Sequence, residues 1–119
     1  MSPARIAVVA TLVIAFAFVA GVLVYGNRSH GGQKVTIDVI VTKASSMTPS
    51  DLTARQSDTV TINIKSDTDG EVHLHGYDIP FDCAAGQTVS HTFTADKTGD
   101  FELEWESTST HLGHLVVTP

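Results

Sequence analysis

Apolar and polar residues alternate along most of the chain beyond residue 33. Lys34–Thr42 sets Val35, Ile37, Val39 and Val41 on one face and Thr36, Asp38, Ile40 and Thr42 on the other. That period of two is the mark of a half-buried strand. Residues 58–65 repeat it with Val60, Ile62 and Ile64 inward. Residues 101–106 oppose Phe101, Leu103 and Trp105 to Glu102, Glu104 and Glu106. Shorter runs of the same kind fall at 52–54, 71–75, 81–84, 88–94 and 114–118. Clusters of turn residues separate them, at 66–70 (Ser-Asp-Thr-Asp-Gly), 85–87 (Ala-Gly-Gln) and 96–100 (Asp-Lys-Thr-Gly-Asp). Turn signals every 8–12 residues or so and the absence of a helical period predict an all-β domain over 34–119, a Greek-key sandwich of about seven strands.

The start of the chain obeys a different rule. Residues 6–26 contain no charged side chain and are rich in Ala, Val, Leu, Ile and Phe. As a helix this segment would be about 30 Å long, the thickness of a bilayer core. Arg5 precedes it and Arg28 follows it. The expectation is one N-terminal transmembrane helix (1–26) serving as a membrane anchor, with a cleaved secretory signal as the alternative. A polar, glycine-containing linker at 27–33 then leads to the domain at 34–119. Either way the domain is expected outside the cytoplasm, held at the cell membrane by a single span or secreted if the segment is cleaved. The flanking charges are nearly balanced, so this orientation rests on the N-terminal position of the segment.

Charge narrows the partners. The chain carries a net −6 over 119 residues, and 33–119 carries −8, from five basic and thirteen acidic side chains. Such a domain has no electrostatic footprint for nucleic acid or anionic headgroups, and it attracts cations. There is a single cysteine, Cys83, so no disulfide can form within the chain. No phosphate-binding glycine loop is present, and no pairing of nucleophile and base suggests an enzyme. The Glu102/Glu104/Glu106 stripe has the regular alternation of a strand's solvent face.

Histidine is the informative residue. Six occur in the chain and five lie in the domain: His73, His75, His91, His111 and His114. His73 and His75 are two apart in a strand, so they share a face. His111 lies where a loop meets the last strand, a place from which a ligand can be aimed. His91, between Val89 and Phe93, reads as a core histidine, and His114 as an exposed strand residue. His73, His75 and His111 are the candidate metal ligands, with His114 as a spare and Tyr77 and Asp78 as residues that could orient an imidazole.

Two stretches resemble the cupredoxins, the small blue copper proteins. One is the turn before His73, Gly70-x-x-His73, which is similar to the segment bearing their first ligand. The other is Gly99-Asp100-Phe101-Glu102-Leu103, then a loop, then His111-Leu112-Gly113-His114-Leu115-Val116-Val117, which is similar to their closing strand, ligand loop and last strand. The resemblance covers 34–119. The run His73-Leu74-His75-Gly76-Tyr77-Asp78 is itself similar to bacterial exported cupredoxin-like domains such as the small cupredoxin domain of iron-uptake lipoproteins. By this resemblance His73 falls on the first histidine ligand, Trp105 on or beside the cysteine position, residues 107–110 on the second histidine, and His111 on the axial methionine. A blue copper centre requires the thiolate, and Cys83 lies in another strand, where it reads as a small core residue. The resemblance therefore implies a cupredoxin-like domain that is not a type 1 electron carrier. The expected function is binding of a metal ion, copper first and zinc as the alternative, through His73, His75 and His111. The competing expectation is a metal-free structural or protein-interaction module on the same fold, its partner unidentified.

Overall fold

A computed structural model describes residues 32–119; the apolar segment at 6–26 and most of the linker lie outside the described residues. The alternating runs do form strands. Nine are present: β1 (Lys34–Thr42), β2 (Ser46–Thr48), β3 (Asp51–Arg55), β4 (Thr59–Ser66), β5 (Gly70–Leu74), β6 (Ile79–Cys83), β7 (Thr88–Thr94), β8 (Gly99–Trp105) and β9 (Thr110–Thr118). A short 3-10 turn, Glu106–Thr108, joins β8 to β9. The count of nine corrects the expected seven. The three residues of β2 are too short to show a period, and β3 and β6 are only five residues each.

The strands form two sheets, in the orders β2-β1-β4-β7 and β3-β9-β8-β5-β6. Two pairings are parallel, β1 with β4 and β3 with β9, so crossovers tie the two sheets together. Between the sheets lies one apolar core. Val60, Ile62, Ile64, Val72, Leu74, Phe81, Leu103 and Leu115 have no exposed surface. Each is an inward member of an alternating run, and burying such side chains is the main favourable term in folding. Asp58 is one of two buried polar residues among those described. Its carboxylate accepts the backbone N–H groups of Gln33 and Arg55 at 2.9 and 2.8 Å, which pins the entry of β1 to the β3–β4 turn.

The outward members of the second sheet matter for function. Alternation on β5 sends Val72 and Leu74 into the core and His73 and His75 to the outer face. On β8 it sends Leu103 and Trp105 inward and Glu102 and Glu104 outward. These strands are adjacent, so imidazoles and carboxylates interleave across the sheet surface.

Candidate metal centre

His111 and His114 are three residues apart, and in a regular strand that spacing would point them to opposite faces. The β8–β9 pairing shifts register between Leu103 and Glu104: Leu103 pairs with Gly113, while Glu104 pairs with His111. Leu112 is the extra residue of a bulge and is buried. The bulge returns both histidines to the outer face, opposite Glu104 and Glu102. Gly113 makes it feasible. A Cβ there would collide with the Ser50 carbonyl oxygen and come within 2.6 Å of the Met47 methyl.

Every one of these four histidines reaches a carboxylate. His75 Nε2 donates to Glu104 Oε1 at 2.6 Å, and His111 Nδ1 donates to Glu102 Oε2 at 2.9 Å. His73 Nε2 donates to Asp78 Oδ1 at 2.8 Å, with Glu106 Oε1 3.5 Å from Nδ1. His114 lies between Asp51 and Asp100, at 2.9 Å from Nε2 and 2.8 Å from Nδ1. The His73 and His75 ring centres are 4.5 Å apart, and those of His111 and His114 are 6.5 Å apart. The Glu104 hydrogen bond holds the His75 imidazolium above the ordinary histidine range, against a smaller opposing effect of burial.

Among the described residues, one group brings donor atoms together as a cation requires. One ligand atom from each of His75, Glu102 and Glu104 lies within 4.8 Å of the others. Of the three histidines expected as ligands, His75 belongs to this group, His111 is bonded to one of its carboxylates, and His73 lies tilted beside His75 and is bonded to Asp78. Asp78 therefore orients an imidazole as expected. Tyr77 does not: its hydroxyl donates to the Lys97 carbonyl at 2.7 Å and accepts the Lys97 N–H at 3.0 Å.

Glu102 and Glu104 are the residues that sequence reasoning passed over. Their alternation does mark an outward face, but Glu104 is only 17% exposed, with its carboxylate bonded to His75. The signal available in the sequence was the coincidence of two outward His and two outward Glu at i, i+2 spacing in separate strands. Only the β5–β8 register, with His73 opposite Glu104, makes them neighbours.

The donor set is nitrogen and oxygen. An imidazole with two carboxylates suits Cu(II) or Zn(II), and it does not supply the thiolate of a blue copper centre. Cys83 faces the core from β6, opposite Gly70 at the far end of β5 from His75. Burial pushes its thiol pKa up, which disfavours the ligating thiolate. Trp105 is 3% exposed, with its indole packed under Gly70. His91 stacks edge-on against Phe81 at 4.9 Å, away from the outer face.

No family model and no curated protein matches the sequence. Solved structures do match. A copper binding protein in its apo form is 18% identical, with a TM-score of 0.60, over 72% of this chain and 96% of that one. Auracyanin A, a blue copper protein from Chloroflexus aurantiacus, is 21% identical, with a TM-score of 0.55, over 71% and 99%. The metal binding domain of the Cu(I) exporting P-type ATPase CopA from Streptococcus pneumoniae is 12% identical, with a TM-score of 0.59, over 76% and 100%. Multicopper oxidases match as well, but the chain spans only 23% to 39% of their length. Identities this low establish architecture alone, and that architecture is clear: the described residues have the cupredoxin-like fold.

Proposed function

We propose that the chain is a membrane-anchored, extracytoplasmic domain that binds a copper ion on the outer face of its five-stranded sheet and is not a blue copper electron carrier. The observation that carries this reading is the convergence of His75, Glu102 and Glu104. His111, already bonded to Glu102, and His73, its ring centre 4.5 Å from that of His75, are the imidazoles adjoining the set. The net charge of −8 over 33–119 favours accumulation of cations at this surface. The choice of copper over zinc draws on the copper-binding proteins that share the fold. The uncharged segment at 6–26 supports the anchor and the extracytoplasmic location.

A bound ion would supply a positive charge here, and His75, Glu102 and Glu104 would hold it. The chain's own residues position it: the strands fix the donor atoms, Asp78 and Glu106 hold His73, and Glu102 holds His111. A nitrogen and oxygen set binds or buffers copper rather than cycling it at a thiolate.

The second reading, a metal-free structural or interaction module, is favoured by the same hydrogen bonds, since every imidazole on the face already has a carboxylate partner. Titrating the full chain in detergent with Cu(II), followed by calorimetry, separates the two. The expected result is stoichiometric binding near neutral pH that weakens at least tenfold in His75→Ala. Binding indistinguishable between wild type and His75→Ala, or no retention above buffer, overturns the metal reading.

A further inference from the structure

The geometry points to β7 as a self-pairing edge: two copies of the chain join antiparallel, β7 to β7, through the four-stranded sheet. A sheet edge exposes a row of unpaired backbone groups, and proteins usually blunt such edges with short length, charge or proline. Three of the four edges here are blunted. β2 has three residues, β3 carries Asp51 and Arg55, and β6 carries Pro80 and Asp82. β7 has none of these devices. It is seven residues long, free of proline and of acidic or basic side chains other than His91, and in unbroken register with β4, its one hydrogen-bonded neighbour. Among the described residues, no backbone hydrogen bond outside the sheet ladders involves Thr88–Thr94, apart from the Thr94 carbonyl accepting from Asp96.

The sequence of this edge matches itself. Thr88-Val89-Ser90-His91-Thr92-Phe93-Thr94, turned about His91, sets Thr88 against Thr94, Val89 against Phe93, and Ser90 against Thr92. Hydroxyl meets hydroxyl on the outer face, where all four residues are exposed. Apolar meets apolar on the inner face, where Val89 and Phe93 are only half-buried. A register centred on one residue also preserves the alternation of free amides and carbonyls, so each unpaired group on one edge faces a complementary one on the other. The absence of acidic side chains counts further in a domain of net −8, because β7 alone among the edges longer than three residues brings no carboxylate of its own to the contact. The partner is a second copy of this chain, and the product is one continuous eight-stranded sheet, β2-β1-β4-β7-β7-β4-β1-β2.

The test is a charge exchange at Ser90 and Thr92, both exposed and opposite each other across the two-fold. Sedimentation equilibrium of the full chain in detergent is expected to give a dimer. Ser90→Lys/Thr92→Lys places two pairs of lysines face to face and is expected to weaken the dimer about tenfold. Ser90→Glu/Thr92→Glu is expected to weaken it likewise. Mixing the two variants restores association as a heterodimer, which also shows that both are folded. A monomeric wild type overturns the proposal. So does a dimer indifferent to both variants, as association through residues 6–26 would be, and so does a mixture that fails to associate.

Discussion

Replacing Glu104 by Gln keeps the size of the side chain and removes its charge, so it tests the site's central contact with little disturbance of packing. His75 Nε2 is 2.6 Å from Glu104 Oε1, and this hydrogen bond is the first cause of the raised His75 value. Charge-assisted hydrogen bonds contribute about 1.5–3 kcal/mol and exposed ion pairs about 0.2–1 kcal/mol. His75 is 43% exposed and Glu104 17%. Solvent screening at the histidine end therefore pulls the loss down to about 1 kcal/mol. For a domain of this size that is a fall in Tm of roughly 4–8 °C. The pH dependence has a definite sign. The folded value of His75 lies above its unfolded value of 6.5, so folding favours the protonated imidazole. The stabilisation is complete below 6.5, and it is lost as pH rises through the folded value. Thermal melts of wild type and Glu104→Gln are expected to differ most near about pH 5.5 and to converge in mild alkali. NMR titration of the His75 ring is expected to show its pKa falling in the variant. A gap in Tm that is independent of pH, or that widens in alkali, would refute the reasoning.

Two further outcomes concern the core and the bulge. Gly113→Ala drives a methyl group toward the Ser50 carbonyl oxygen and the Met47 side chain, so urea unfolding is expected to show a loss of about 1–3 kcal/mol, and a change under about 0.5 kcal/mol would contradict the packing described for the bulge. Cys83 is 7% exposed and its thiol pKa is raised by burial, so alkylation by iodoacetamide at neutral pH is expected to be slow in the native protein and fast in urea; equal rates in the two would mean that the thiol is open.

The strands were legible wherever the period of two ran long enough. β1 and β7 have the boundaries that alternation predicts, because each carries seven or more residues with one face toward the core. β2 was illegible because three residues carry no period, and β9 begins at Thr110 rather than 114 because a hairpin with β8 extends it. The outward direction of His73, His75, Glu102 and Glu104 could be read from each strand alone. Their association could not, since pairing of residues 72–74 with 103–105 depends on sheet order rather than on local pattern. His111 and His114 were harder still. Their spacing argues for opposite faces, and the bulge that reunites them is set by the close approach of the Ser50 backbone to Gly113, a contact about 63 residues distant in sequence.

The hydrogen bonds that favour a metal-free face and the donor atoms that favour a metal centre are the same atoms, and this makes the two readings states of one surface. Imidazole nitrogen cannot donate a proton to Glu104 and ligate a cation with one lone pair at once. A cation entering among His75, Glu102 and Glu104 would take the place of the proton now held between His75 and Glu104. The raised His75 value means that this proton is bound more firmly than on an ordinary histidine. Metal affinity at this face is therefore expected to climb with pH over a range displaced upward from that of a free imidazole. Glu104→Gln pulls that relationship in two directions, lowering the affinity of the loaded site by removing a ligand and easing the competition by freeing the proton. Measuring Cu(II) affinity against pH in both proteins separates them. The wild-type curve should rise later and reach higher, and a variant curve merely parallel to the wild type would show that the His75–Glu104 proton does not compete with the metal.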